Sequence, residues 1–178
     1  MPARTVSPDD LPDHLPPLVL LVGDEELLVG RAISALSAAA RRQEPDVTES
    51  EIAGGELDGS ELHELLGPSL FGDARLVVVR SAQDVKVAAL AVLKPYVESP
   101  TDGITIVLQH AGGAPAKALL DTARKSKVLE IGCAKLTRPE ERLDFVRNEV
   151  RRAGGRIAPD AVTALVDAVG SDLRELAA

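Results

Sequence analysis

Four short apolar runs, separated by longer amphipathic stretches, most constrain what this chain can fold into. They cover residues 18–22, 75–80, 104–108 and 128–131. Each has the length of a strand and a largely apolar interior, which is typical of strands buried on both faces of a parallel sheet. Because helical patterns lie between the runs, the first ~135 residues predict an α/β domain with a mainly parallel sheet.

Apolar residues at helical spacing predict the intervening helices, and a further strand is less clear. The helices are expected after Glu26 to about Arg42 and over residues 57–66, 85–97 and 115–125, with the further strand at 46–52. Asp24 is expected to cap the first helix. Residues 1–17 are rich in proline and aspartate, and we expect a flexible N-terminal tail there.

The pattern becomes purely helical near residue 137. Thr137 and Glu140 have the spacing of a capping box. Three helical patterns follow it, interrupted by glycine turns, and the last is cut off at Ala178. We therefore expect an α/β domain at 18–137 and a second, helical domain at 138–178 that continues in the natural protein.

Composition excludes several classes of protein. The net charge of −8 argues against free-standing binding to nucleic acid through its phosphates. A single cysteine rules out a disulfide framework and a cysteine-based metal site. No apolar run is long enough to span a membrane, so we expect a cytoplasmic protein.

The turn after the first strand is where a phosphate-binding loop would lie. Such a loop needs a glycine, four further residues and then Gly-Lys-Ser or Gly-Lys-Thr. Here Gly23 is followed by the acidic run 24–26, and the lysine is absent. These carboxylates would repel a triphosphate, and no acidic pair follows the strand at 104–108 to hold magnesium. We interpret Gly23, Asp24 and Glu25 as a degenerate nucleotide loop.

Other catalytic or metal-binding patterns are equally weak. The histidines pair neither with Cys133 nor with an acid at ligand spacing, and we expect all three on the surface: His14, His63 and His110. Nearby lysines could lower the pKa of Cys133, but we favour a small buried residue. The sequence thus predicts no catalytic residue, no metal site and no cofactor.

Leu70 and Phe71 stand side by side in a predicted turn, here called the apolar turn (residues 68–71). Gly67 and Pro68 end the preceding helix, and Gly72 with the following aspartate forms a second turn signal. Large apolar residues in a turn either plug the edge of the sheet or are kept for a partner. The residues alone favour the first alternative, in which Leu70 and Phe71 cover the edge of the sheet.

Four stretches occur in the same serial order as in a known family. They are LVLLVGDE at 18–25, SLFGDARLVVV at 69–79, LKPY at 93–96 followed by ITIVL at 104–108, and GSDLREL at 170–176. In these stretches the chain resembles the delta subunit family of the bacterial DNA polymerase III clamp loader. The resemblance extends over nearly the whole chain from about residue 17 and rests on the serial order.

This resemblance implies an AAA+-like parallel sheet domain without a functional nucleotide site, followed by the start of a small helical lid domain. A C-terminal collar domain would be absent from this chain. The family's clamp-contacting pair falls on Leu70 and Phe71, with Ser69 beside it. The implied function is in DNA replication: the subunit binds the beta sliding clamp and helps to open the ring for loading, without hydrolysing ATP.

The implied partners are the beta clamp and the delta prime and gamma/tau loader subunits, with primed DNA met only through the assembled complex. The complex is part of the DNA-directed DNA polymerase holoenzyme, a nucleotidyltransferase. Two alternatives stay open: an active AAA+ ATPase with an atypical loop, and an unrelated α/β regulatory module such as a phosphoryl-accepting receiver. The acidic run 24–26 argues against the first, and Gln109 and Gly132, at later strand ends, do not support the second.

Overall fold

The computed structural model describes residues 4–6, 11–67, 72–113, 117–126 and 128–178. The chain divides into two compact units, Met1–Ala134 and Lys135–Ala178. Every strand of the described residues belongs to the first unit, and the second is helical. The more specific domain assignments made from the sequence stay predictions.

The first unit is built on a six-stranded sheet in the order β1-β6-β2-β5-β4-β3, in which all neighbouring strands run parallel. The strands are β1 (Arg4–Val6), β2 (Leu18–Val22), β3 (Thr48–Ala53), β4 (Arg75–Arg80), β5 (Ile104–His110) and β6 (Leu129–Gly132). The helices are α1 (Glu26–Gln43), α2 (Gly59–Leu66), α3 (Val87–Glu98) and α4 (Lys117–Lys125). Because the strands are parallel, their carboxyl ends meet at one edge of the sheet.

Successive residues of the central strands enter two separate cores. Leu20 and Ile106 pack with residues of α2, α3 and α4. Val19 and Val107 pack with residues of α1 on the opposite face. Since neither face of these strands is exposed, they read as unbroken apolar runs. The predicted α/β class with a parallel sheet is confirmed.

The N-terminal segment differs from the flexible tail expected for residues 1–17. β1 forms an edge of the sheet by pairing with β6. Leu11 and Leu15 pack against the core on the α1 face, and Gln43 Nε2 donates a 2.7 Å hydrogen bond to the carbonyl of Asp13. A strand of three residues is too short to give a sequence pattern. Its partner also lies far along the chain, so only the assembled sheet reveals it.

Tyr96, the one tyrosine of the chain, gives the first unit a titratable reporter. The side chain is 7% exposed, and its hydroxyl donates a 3.3 Å hydrogen bond to the carbonyl of Ile104. Burial raises the pKa of Tyr96 from 10.0 to about 12. The folded state therefore holds this proton more tightly than the unfolded state. The stabilisation is complete below pH 10 and is lost as the pH rises through 12.

We expect the free energy of unfolding to fall by about 2 kcal/mol across this window through Tyr96. The tyrosinate absorbance should have its midpoint near pH 12 in the folded chain and near pH 10 in urea. Tyr96→Phe is the control, and its stability should decline less over the same range. Equal midpoints in the two states would contradict the burial of this hydroxyl.

The second unit contains three helices: α5 (Pro139–Arg152), α6 (Pro159–Val169) and α7 (Leu173–Leu176). Each helix turns an apolar side inward. The buried residues are Phe145, Val146, Val162, Val166, Leu173 and Leu176. Asp172 caps α7 by accepting hydrogen bonds from the N–H groups of Arg174 and Glu175.

The start of α5 corrects the predicted capping box of Thr137 and Glu140. The N-cap is Arg138, and its backbone N–H donates a 3.0 Å hydrogen bond to Oε2 of Glu141. Pro139 takes the first helical position, where its fixed φ and missing N–H are well tolerated. The proline therefore moves the cap one residue along the chain.

Candidate functional site

The loop between β2 and α1 donates backbone hydrogen bonds to the last residue of β5 and to the residue that follows β6. The Gly23 N–H donates to the carbonyl of His110 at 2.9 Å, and the Glu25 N–H donates to the carbonyl of Cys133 at 2.9 Å. In a phosphate-binding loop, amides at this place point at the phosphate. Here these two amides are used inside the protein and are not available to a nucleotide.

Gly23 also lies against the backbone at the end of β6. Its φ is +137°, and a Cβ added there would lie 2.0 Å from the carbonyl carbon of Cys133 and 2.2 Å from the nitrogen of Ala134. Real side chains do not make contacts this short. Glycine is required because two backbone segments approach each other closely. The Gly23 loop is therefore packed directly against the backbone of Cys133 and Ala134.

Glu25, rather than the predicted Asp24, is the N-cap of α1. Its carboxylate accepts a 3.5 Å hydrogen bond from the N–H of Leu27. Glu26 follows in the first turn of the helix. Side-chain carboxylates thus lie at the positive end of the helix dipole, the position that favours an anionic ligand in nucleotide-binding proteins.

Arg80 ends β4, one of the strands whose ends would carry acids in a magnesium-nucleotide site. Its Nη2 lies 2.9 Å from Oε2 of Glu26, and its Nη1 lies 3.6 Å from Oε1 of Glu51. Exposed pairs of this kind contribute at most about 1 kcal/mol each. Their significance is chemical, because this strand end carries a cation rather than a metal-binding acid.

Gln109 lies at the centre of the carboxyl edge of the sheet. In the sequence it is notable only because an acid that could bind magnesium is absent at this position. It is 5% exposed in β5, between β2 and β4. Its Nε2 donates to the carbonyl of Gly23 at 2.7 Å, and its Oε1 accepts from the N–H of Ser81 at 2.7 Å. Ser81 has a left-handed φ of 50°. The sequence signal for this function is a polar amide at the end of an apolar strand. A buried amide needs hydrogen-bond partners for both its oxygen and its nitrogen.

The predicted burial of the histidines and of Cys133 agrees with the structure in part. His110 is 2% exposed, so its predicted surface position is wrong. The reason is that β5 continues to His110, where it pairs with Val22 of β2, and His110 Nδ1 accepts a 2.9 Å hydrogen bond from Gly112. The other two histidines are exposed, as predicted. Cys133 is buried as predicted, and burial raises the pKa of its thiol to about 11, which disfavours a reactive thiolate.

Ser69, Leu70 and Phe71, the residues singled out in the apolar turn, lie outside the described residues. Both flanks of the turn are described. α2 ends before it, with Gly67 as its C-cap, and β4 begins after it. The turn is therefore joined to the amino edge of the sheet, whereas the Gly23 loop lies at the carboxyl edge.

Side chains from elsewhere in the fold cap the C-terminal end of α2. The guanidinium of Arg75, the first residue of β4, donates from Nη1 to three backbone carbonyls. They belong to Glu64 at 3.1 Å, Leu65 at 3.1 Å and Gly67 at 3.2 Å. The hydroxyl of Thr101 donates to the carbonyl of Leu66 at 3.5 Å. Four successive carbonyls at the helix end thus find donors in distant residues.

The local sequence explains why α2 needs this help. Helices commonly end with a left-handed glycine, whose N–H and that of the next residue bond back to the last turn. Gly67 is instead extended, with φ −71° and ψ 153°, and Pro68 has no N–H to donate. The last carbonyls therefore require donors from outside the helix. Gly67 and Pro68 predict the end of the helix from the sequence. The capping of this end by Arg75 is not predicted by any sequence pattern.

Within the described ranges, no group of three His, Cys, Asp or Glu side chains is arranged to hold a metal ion. None of the helices in the same ranges has the length and apolar character to cross a membrane. The expectations that the protein needs no cofactor and works in the cytoplasm stay predictions.

Comparison with known protein families gives a match over most of the first unit. The model of the family described as "DNA polymerase III, delta subunit" matches residues 19–131, which is more than half of the 178-residue chain. The matched range includes both the Gly23 loop and the apolar turn. No curated protein matches the sequence.

Solved structures resemble the chain in fold. The Bacillus subtilis DNA clamp loader delta protein (YqeN) matches with a TM-score of 0.70 and 19% identity, over 92% of this chain and 51% of that protein. The Thermotoga maritima RuvB Holliday junction branch migration motor matches with a TM-score of 0.55 and 14% identity, over 92% of this chain and 53% of that protein. The chain thus spans about half the length of these structures. The chain shares its α/β fold with these structures.

Proposed function

Because the chain belongs to the family of the DNA polymerase III delta subunit, we propose that it acts in DNA replication as the clamp loader subunit that binds the beta sliding clamp. In this role it helps to open the ring and does not hydrolyse ATP itself. Its further partners are the delta prime and gamma/tau subunits, and it meets primed DNA only in the assembled loader. It works in the cytoplasm.

The observation that carries this proposal is the family match over residues 19–131. Within that range, Leu70 and Phe71 are the residues that we assign to the clamp, with Ser69 beside them. Each large apolar side chain buried in a pocket contributes roughly 1.5–3 kcal/mol. A pair of this kind is enough to form the energetic centre of an interface.

Ring opening follows from selective binding. A subunit that binds the clamp more tightly in an open or strained state shifts the ring towards opening, by no more than its difference in affinity for the two states. This step requires contact and no chemistry from the subunit itself. It is therefore compatible with a chain for which we predict no catalytic residue.

The geometry of the Gly23 loop supports the ATP-free part of the proposal. Two of its amides are bonded to other strands, and a backbone segment lies against Gly23. The neighbouring strand ends carry Arg80 and His110 rather than acids. Saturable binding of ATP to the chain would instead support the alternative of an active ATPase.

The proposal predicts that Leu70→Ala/Phe71→Ala weakens binding to the sliding clamp of the same organism at least about tenfold, equivalent to about 1.4 kcal/mol. The expected cause is the loss of apolar contact in the clamp pocket. Binding should be measured by surface plasmon resonance or calorimetry, together with thermal melts of both proteins. The melting temperature should change little if the pair serves the partner.

Val87→Ala is the matched control, because Val87 is a large apolar side chain that is 84% exposed elsewhere on the first unit. Its clamp affinity should equal that of the wild type. Unchanged binding by the double variant would place the interface elsewhere. A large drop in its melting temperature would instead assign Leu70 and Phe71 to the fold.

A further inference from the structure

The capped end of α2 points to a function for Arg75 that rests on the proposed clamp binding. We propose that Arg75 is a positioning residue for the apolar turn. Its side chain holds the helix end from which the turn departs, and its backbone belongs to the strand to which the turn returns. Arg75 thus joins both ends of the segment that carries Leu70 and Phe71.

The sheet holds the backbone of Arg75. Its N–H donates to the carbonyl of Gly103 at 2.9 Å. In the strand register it stands opposite Thr48 of β3 and Ile104 of β5. The backbone of Arg75 is therefore held by strands on both sides. This fixes the point on the sheet from which its side chain extends to α2.

The side chain then closes a short loop of chain. Gly67 and Arg75 are eight positions apart, and the guanidinium spans them at 3.2 Å. The cation also lies at the negative end of the α2 dipole, where a positive charge is favourable. Without it, the carbonyls of the last turn would lose their donor, and the helix end would fray towards the apolar turn.

Fraying at the C-terminal end of α2 would reduce the affinity for a partner. A partner that takes hold of a loosely held segment must order it, and that ordering reduces the affinity even when every contact is retained. Arg75 needs no contact with the clamp to act in this way. A purely structural cap would also stabilise the fold, so the test must separate the two roles.

The test compares Arg75→Gln with Arg80→Gln in the full chain. Both arginines lie in β4, are partly exposed and bond to other elements, but Arg80 is at the carboxyl end of the strand, away from the apolar turn. We expect the Kd for the sliding clamp to rise about fivefold to tenfold for Arg75→Gln and to stay within about twofold for Arg80→Gln. Arg75→Lys should fall between them, since it keeps the charge near the helix end.

A double-mutant cycle shows whether Arg75 acts through the turn. In the Leu70→Ala/Phe71→Ala background, Arg75→Gln should weaken clamp binding no further. An additive loss in that background would mean that Arg75 contacts the clamp directly or acts through global stability. Equal losses for Arg75→Gln and Arg80→Gln would overturn the proposal as well.

Hydrogen exchange of the free chain gives a readout that does not depend on the clamp. Arg75→Gln should speed exchange in residues 62–67 and 72–74 and leave the amides of β2 and β5 unchanged. Uniform or absent changes would overturn the positioning function. If the Leu70→Ala/Phe71→Ala variant binds the clamp like the wild type, the interface lies elsewhere and the clamp part of this inference fails. If the wild-type chain itself does not bind the clamp, the proposed function fails. The exchange result then decides alone whether Arg75 orders the end of α2.

Discussion

Gly23→Ala should destabilise the first unit by about 3 kcal/mol or more, the size of effect that follows from forced backbone movement. The added Cβ would lie 2.0 Å from the carbonyl carbon of Cys133. The φ of +137° is also unfavourable for any residue with a side chain. Relief requires the loop to move away from the end of β6, which breaks the bond between the Glu25 N–H and the carbonyl of Cys133. Urea unfolding followed by circular dichroism measures the loss.

Gly30→Ala is the control for this variant, because it makes the same chemical change in the adjoining helix. A Cβ at Gly30 meets nothing within 4 Å. Removing a glycine from a helix interior should stabilise the chain by about 0.5–1 kcal/mol. The two substitutions are thus expected to have opposite signs. A wild-type midpoint for Gly23→Ala would contradict the close approach of Gly23 to the backbone at the end of β6.

Gln109→Leu is expected to cost about 2–4 kcal/mol, because both polar groups that it bonds stay behind without this partner. The substitution keeps a similar volume, so little of the loss comes from packing. The N–H of Ser81 and the carbonyl of Gly23 would both lose the bond to Gln109. Chemical denaturation gives the free energy, and the exchange rate of the Ser81 amide locates the change.

Gln83→Leu provides the matched comparison. Gln83 also accepts a hydrogen bond from a backbone N–H, that of Ala111 at 3.1 Å, but in an exposed setting where water can replace it. Its loss should be about 1 kcal/mol or less. Similar losses at Gln109 and Gln83 would contradict the assignment of Gln109 as the buried tie between strand ends.

Gln109→Glu adds a test of the hydrogen-bond directions. An ionised carboxylate could still accept from Ser81 but would face the carbonyl of Gly23 without a proton to donate. Burial raises the pKa of such a carboxyl, so the folded state binds its proton more tightly than the unfolded state. The stability deficit should therefore be largest at neutral pH and should shrink as the pH falls. A deficit that is independent of pH would argue against the donor assignment at Nε2.

The two candidate sites lie at opposite edges of the sheet, and this separation makes the tests independent. The Gly23 loop follows β2 at the carboxyl edge, and the flanks of the apolar turn lead into β4 at the amino edge. Variants of Gly23 and Gln109 are expected to change stability through the carboxyl edge. Variants of Leu70, Phe71 and Arg75 are expected to change clamp binding.

The sequence predicted the parallel sheet because burial on both faces leaves a local mark. The strands β2 and β4 were predicted at their observed bounds, and β5 extends two residues beyond its predicted end at 108. β3 was less clear, since it lies at an edge of the sheet and is partly exposed. β1 was missed because three residues cannot show a period, and its stability depends on pairing with β6.

The degenerate loop could be predicted from charge and spacing alone, but its closure could not. The missing lysine and the acids at 24–26 can be seen directly in the residues that follow Gly23. The bonds from Gly23 to His110 and from Glu25 to Cys133 join residues that are distant in sequence. Their formation depends on the strand order, which places the end of β2 between those of β5 and β6.

Residue types and their order were enough to predict the fold class, the absence of a phosphate-loop motif and the family resemblance. By contrast, the hydrogen bonds by which Gln109 joins strand ends and Arg75 caps α2 are seen only in the folded chain. Apolar periodicity is set by nearest neighbours along the chain, so it can be seen in the sequence. A polar side chain takes its function from the donors and acceptors that the fold brings to it, and those come from distant segments.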